Sequence, residues 1–272
     1  MTTKSGTVHV NGADIYYELA GSGPPVVLLH AGIADSRMWD LQFDAFAAAG
    51  HRVVRYDMRG YGRTTPVPGE FSPREDLRAL LKALDIERTS LVGCSMGSRT
   101  ALDFALRYPD QVDRLVLTSP SINGFDYTGR PSPLWVEIDV AAMDGDLARV
   151  NELEIQMWVA GPRRRPEQVA PWIRELALDM NAIALANENK KLGQEQPAAS
   201  VEGRLHKLRP PTLVVVGEED TPWTRATAGW LMRYLDSARR IDLPDAGHLP
   251  NMEQAEAYNA AVLSFLTTKA AQ

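Results

Sequence analysis

The stretch Leu91-Val92-Gly93-Cys94-Ser95-Met96-Gly97-Ser98 constrains this chain more than any other. A short apolar run ends in Gly-x-Ser-x-Gly and passes into a helix-length segment, which predicts strand, sharp turn and helix. The two glycines lack a Cβ, so the backbone can reverse tightly enough to lift the Ser95 hydroxyl above the strand ends. The amide of Met96, opening the following helix, then points to the same spot, where a developing oxyanion would need a donor. The same five residues also suit an ordinary turn in which Ser95 caps a helix. An acid and a histidine in later strand-end loops would separate the two readings.

The rest of the chain alternates between two periodicities. Residues 7–20 read as a hairpin of alternating strands around Asn11-Gly12, the antiparallel edge of a sheet. Val26-Val27-Leu28-Leu29 is a continuous apolar run, as expected of a parallel strand covered on both faces. Further strands are predicted at 52–57, 89–93 and 114–118, with helices at about 38–49, 72–84 and 96–108 between and beside them. Ser72 and Pro73 supply a helix start, and Pro109 a stop.

That rhythm breaks between residues 121 and 209, where there is no convincing strand, only a Gly/Pro loop and helical patterns near 133–143, 146–159 and 166–192. Strands resume at 211–217 and 239–243, with helices at about 223–235 and 250–267. The expected architecture is therefore α/β, a mostly parallel doubly wound sheet of eight strands. Its core is formed by residues 1–120 and 210–272, and residues 121–209 form an inserted helical cap. A chain of 272 residues suits one such domain with an insertion.

Composition narrows the partners. With 29 Lys+Arg against 35 Asp+Glu, the net charge is −6, which argues against nucleic acid or an anionic membrane and for a small molecule. The one dense basic run, Arg163-Arg164-Arg165, reads as a solvated loop between two prolines. With no apolar leader and no run of about 18 apolar residues, a cytoplasmic protein is expected. The lone Cys94 permits no internal disulfide and reads as a small buried residue. Gly60-Tyr61-Gly62 lacks the third glycine of a dinucleotide loop, so no cofactor is expected, and no cluster has metal-ligand spacing.

Three residues with the right chemistry then fall in loops after strands: Ser95, Asp220 and His248. In a parallel sheet those loops converge on the edge formed by the strand C-termini. Their order, Ser then Asp then His, is that of a hydrolase built on a nucleophile elbow. Asp245 reads instead as a loop-stabilising carboxylate, Glu218 and Glu219 as side chains pointing elsewhere, and His9, His51 and His206 as surface residues.

On His30-Ala31-Gly32, Asp57-x-Arg59-Gly60-x-Gly62, Gly93-x-Ser95-x-Gly97, Gly217-Glu218-x-Asp220 and Gly247-His248, the chain resembles the α/β-hydrolase superfamily over nearly its whole length. Arg37-Met38-Trp39-Asp40 and Ser95-Met96-Gly97 are similar to segments of enol-lactonases and cofactor-free perhydrolases. The resemblance implies Ser95 as nucleophile, His248 as general base and then acid, and Asp220 as the carboxylate that orients the imidazole. It implies an oxyanion hole made by the amides of Met96 and Gly32. Ile33 is the alternative second donor, because the usual His-Gly pair reads His30-Ala31. His30 itself is expected to brace its loop. The implied activity is hydrolysis of an ester or lactone through an acyl-enzyme. Carbon–carbon bond hydrolysis, perhydrolysis and a ligand receptor with little turnover are the alternatives; the substrate and the oligomeric state are left open.

Overall fold

The computed structural model describes residues 2–268. The first half contains β1 (Lys4–Val10), β2 (Ala13–Ala20), β3 (Pro25–Leu29), α1 (Asp40–Ala48), β4 (Arg52–Tyr56), β5 (Glu70–Phe71), α2 (Pro73–Ala83), β6 (Thr89–Cys94), α3 (Met96–Arg107) and β7 (Val112–Thr118). The helices α4 (Leu134–Met143), α5 (Leu147–Ile155) and α6 (Pro171–Glu188) follow, then β8 (Gln194–Glu195), β9 (Thr212–Gly217), α7 (Pro222–Tyr234), β10 (Arg239–Leu243), α8 (Pro250–Glu253) and α9 (Ala255–Thr267).

Eight of the strands form one sheet in the order β1-β2-β4-β3-β6-β7-β9-β10. It is parallel from β4 to β10, and only β2 pairs antiparallel with its two neighbours. The chain crosses from β4 over β3 to β6 and onward, which makes the sheet doubly wound with β3 and β6 at its centre. The two-fold alternation of a strand sorts β3 between two cores. Val26 and Leu28 face one cluster with α1, α9 and part of the helical insertion, whereas Val27 and Leu29 face the other with α2 and α3. All four residues are fully buried, which accounts for the unbroken apolar run.

The insertion is seated on the sheet rather than loosely hinged to it. Ile155, Val159, Ile173, Ala177 and Met180 belong to the same core as α1 and α9, while Ile138, Ala141, Val150, Leu153 and Met157 form a small cluster of their own. Among the described residues, no helix is long and apolar enough to cross a membrane.

Several sequence expectations need correction. The segment 121–209 does contain a strand, the two-residue β8, which pairs in parallel with β5 as a separate ribbon; so short a segment has no periodicity to read. The helix expected from about 38 begins as a 3₁₀ turn at Ser36–Trp39, where Asp35 accepts from the Arg37 amide. The last helix is broken at Gln254 into α8 and α9. His51 is not a surface residue: it is 6% exposed, tucked against the Pro24 carbonyl by the turn that follows α1. Arg164, expected in solvent, is buried among the carbonyls of Val159, Ala160 and Asp245.

Candidate active site

The turn after β6 is built as the sequence suggests. Ser95 has φ +52° and ψ −111°, a backbone conformation that costs an L-residue of order 1–3 kcal/mol and persists only where the surroundings enforce it. Here the surroundings are two glycines and a set of hydrogen bonds. A Cβ on Gly97 would collide with the carbonyls of Leu29 and His30, and one on Gly93 with that of Gly97, so β3, β6 and α3 meet at a distance only glycine allows. The Ser95 amide donates to the Thr118 carbonyl at 3.0 Å, and Ser98 Oγ donates to the Ser95 carbonyl at 2.7 Å while accepting from Ser121. With those groups satisfied, the Ser95 side chain is left to face the cavity.

That cavity, about 290 Å³, is lined by Ser95, His248, Gly32, Met96, Trp158 and Trp223 among others. His248 sits on the loop after β10, with only 3% of its surface exposed. Its Nδ1 lies 2.9 Å from Oδ1 and 3.0 Å from Oδ2 of Asp220, itself 2% exposed on the loop after β9. A carboxylate only accepts, so Nδ1 carries the proton and Nε2 is left with a lone pair. The Asp220 carboxylate also accepts from the Thr221 amide at 2.6 Å.

The insertion steadies the imidazole. After α5 the helix widens into a π-turn at Gln156–Ala160, which sets the Trp158 ring 4.7 Å from that of His248 and its carbonyl 3.2 Å from the His248 amide. Behind the same loop, Arg164 makes a paired contact with Glu253, whose Oε1 accepts from the Gly247 amide at 2.7 Å. Arg163 likewise pairs with Glu219, next to Asp220. The basic run thus ties the insertion to both loops that carry the acid and the histidine. Sequence reading missed this because Pro-flanked arginines look alike whether solvated or clamped. Glu219 pairs with Arg163, whereas Asp245 contributes through its carbonyl to Arg164.

The remaining motif residues hold the frame. His30 accepts from the Met58 amide through Nε2 at 2.9 Å and contacts the Ala31 carbonyl through Nδ1, and burial pulls its pKa below the ordinary histidine value. Asp57 accepts from the amides of Ser36 and Arg63, and a Cβ on Gly62 would collide with that carboxylate. Arg59 pairs with buried Asp76. Cys94 is buried beneath the site, and desolvation pushes its thiol well above the usual range. Gly32 and Ile33 both line the cavity together with Met96, Ser95 and His248.

A doubly wound sheet of this order, with a strained serine at the turn after its central strand, defines an α/β-hydrolase. Comparison with known proteins agrees: the model of the alpha/beta hydrolase fold matches residues 24–255, and the chain belongs to that family. It is 30% identical over 267 residues to a 2-hydroxy-6-oxononadienedioate/2-hydroxy-6-oxononatrienedioate hydrolase of Paraburkholderia phymatum, covering 93% of this chain and 90% of that one. It is 29% identical over 277 residues to a putative 2-succinyl-6-hydroxy-2,4-cyclohexadiene-1-carboxylate synthase of Bacillus subtilis, covering 97% and 99%. Among solved structures, the enol-lactonase of Burkholderia xenovorans superposes with a TM-score of 0.77 at 26% identity, covering 97% of this chain and all of that one.

Proposed function

We propose that the protein is a serine hydrolase that cleaves a small-molecule carboxylic ester or lactone through an acyl-enzyme on Ser95. One observation carries the reading: a serine held at φ +52° shares a cavity with a buried histidine whose far nitrogen is bonded to a buried carboxylate. In the first step His248 Nε2 takes the Ser95 proton as Oγ attacks the carbonyl carbon, and Asp220 holds the tautomer and stabilises the imidazolium. The oxyanion is received by the amides of Met96 and Gly32, and loss of one such donor costs on the order of 10²- to 10³-fold in kcat. The imidazolium returns its proton to the leaving oxygen, and a water activated by the same imidazole then releases the acid.

Residues 121–209 act in this reading as the lid, contributing Trp135 and Trp158 to the cavity wall. Beyond them an outer cleft of about 720 Å³, lined by Phe125, Tyr127, Trp135, Trp158 and Trp223, suits an apolar or aromatic portion of the substrate. A buried, unpaired Cys94 fits a reducing, cytoplasmic setting.

A second reading, carbon–carbon bond hydrolysis by the same triad, is favoured by the 30% identity to the Paraburkholderia hydrolase. Intact mass after fluorophosphonate treatment, with p-nitrophenyl acetate and butyrate turnover, tests the proposal. Wild type should gain one adduct and turn over repeatedly, Ser95→Ala should do neither, and His248→Ala should lose turnover. Labelling or turnover by Ser95→Ala would refute the site. A labelled enzyme that ignores esters and lactones but cleaves a vinylogous diketone would move the assignment to the second reading.

A further inference from the structure

A second chamber of about 280 Å³ shares the Gly32, Ile33 and Met96 wall with the Ser95 cavity. Its character differs from that of the aromatic cleft. Glu154 on α5 and Asn181 on α6 line it together with Tyr61, and Glu188 stands at its edge. Asn181 is 2% exposed; its amide nitrogen donates to Asn151 Oδ1 at 3.0 Å and to Glu154 Oε2 at 2.7 Å. Its Oδ1 accepts nothing among the described residues and is not sealed in the core, so it faces the chamber as an open acceptor. Among the described residues the second Glu154 oxygen is also without a donor, while the Tyr61 hydroxyl, likewise without a partner among them, lies 3.9 Å from where a Cβ of Gly32 would stand.

The cations nearby are mostly committed. Arg59 is bonded to Asp76 and to the Asn11 carbonyl, and Arg99 is paired with Glu195. Lys191, exposed at the rim, is the remaining cation among the lining residues. The chamber therefore offers hydrogen-bond acceptors beside the acidic side chains of Glu154 and Glu188, with Lys191 at the rim. Burial, and after it the repulsion of Glu188, pushes the Glu154 carboxyl above the usual range.

We infer that this chamber is a specificity subsite that receives an uncharged hydrogen-bond donor of the substrate, a hydroxyl or a primary amide, on Asn181 Oδ1 and Glu154, and rejects a carboxylate. The inference rests on the proposed role of Ser95, since the chamber matters as the half of the substrate site reached across the oxyanion wall. A site built to pair a donor leaves buried acceptors unsatisfied when the donor is missing, and that asymmetry is what gives discrimination.

The experiment uses two matched ester series, one varied on the acyl side and one on the alcohol side, each ending in hydroxyl, carboxamide, methyl or carboxylate. Non-hydrolysable methyl ketones with the same four ends serve as ligands in a thermal-shift assay. In one series the wild type should favour hydroxyl or carboxamide over methyl by roughly ten-fold in kcat/KM and over carboxylate by roughly a hundred-fold. Asn181→Leu should bring the hydroxyl-to-methyl ratio close to one, and Glu154→Gln should keep that ratio while shrinking the penalty on carboxylate. A flat order in both series, or a carboxylate preference that Lys191→Met removes, would overturn the inference. If no ester turns over yet the ketones still rank hydroxyl above methyl above carboxylate, with Asn181→Leu flattening the rank, the serine-hydrolase reading fails and the subsite stands. Turnover with unranked ketones and esters would sink the subsite alone.

Discussion

Arg164 offers the most direct test of how the insertion holds the site. Its guanidinium and the Glu253 carboxylate are 9% and 6% exposed and lie 2.7 Å apart. The same guanidinium donates to the carbonyls of Val159, Ala160 and Asp245, and Glu253 receives the Gly247 amide next to His248. Replacing Arg164 with Met keeps much of the side-chain volume but leaves a buried carboxylate without its cation. Breaking a buried pair from one side costs about 3–5 kcal/mol, which at ~2–4 °C per kcal/mol for a chain of this size lowers Tm by roughly 6–20 °C. Adding Glu253→Gln should recover more than half of that loss, because the amide oxygen can still accept from Gly247 while the stranded charge is gone.

The pH dependence has a definite sign. Burial already raises the Glu253 pKa, with Arg164 opposing it, so removing Arg164 raises it further. A carboxyl whose pKa is higher folded than unfolded costs nothing below the unfolded value, near pH 4.5, because it is protonated in both states. The cost grows as pH rises through the folded pKa. The Tm gap between wild type and Arg164→Met should therefore be small near pH 4 and widen toward pH 8. Differential scanning calorimetry across that range, with ester turnover measured alongside, checks both parts. Turnover should fall roughly ten- to a hundred-fold as the Gly247-His248 backbone drifts, and Arg164→Met/Glu253→Gln should regain part of it. A single variant within about 1 kcal/mol of wild type, or a gap that does not change with pH, would refute the idea of a desolvated clamp.

Three further outcomes follow from the site. Ser95→Gly relieves the positive φ and should raise stability by about 1–2 kcal/mol while abolishing turnover; a loss of stability in urea titrations would show that the turn is not strained. Cys94, buried and with its thiol pushed up by desolvation, should resist a thiol reagent at pH 8 in native buffer and react once the chain is unfolded, and rapid native labelling would contradict its burial. Glu154, raised by burial and by Glu188, destabilises the fold increasingly as pH rises above about 4.5, so Glu154→Gln should gain in Tm over wild type from pH 4 to pH 8, whereas a pH-independent difference would place the charge in solvent. Glu188, Glu195 and Lys191 line the same chamber in both proteins.

What was legible in the sequence was what local periodicity and local backbone demand can encode. The strands from Val26 to Val216 show their burial as apolar runs, and their regular alternation with helices marks a mostly parallel, doubly wound sheet, although the order of its strands is given only by the structure. The elbow is legible because Gly93 and Gly97 stand where a Cβ would strike backbone. Asp220 and His248 stand out because loops after parallel strands converge, so two residues far apart in sequence are brought to 2.9 Å by topology alone. His51 and Arg164 were misread for a shared reason. Each is polar and sits by a turn, and its burial depends on a segment distant in sequence, Glu253 in the second case, about which local pattern carries no information.

The insertion marks the deeper limit. Its helices could be anticipated, but a helix has no single register with respect to a neighbour until the neighbour is packed. The π-turn at Gln156–Ala160 interrupts the regular helical ladder between Glu154 and the end of the segment that carries Trp158. That one irregularity lets the same short stretch send a carboxyl into the polar chamber and an indole onto the imidazole. Straightening it by substitution would therefore disturb the chamber and the imidazole together, coupling which substrates fit to how well the histidine is held.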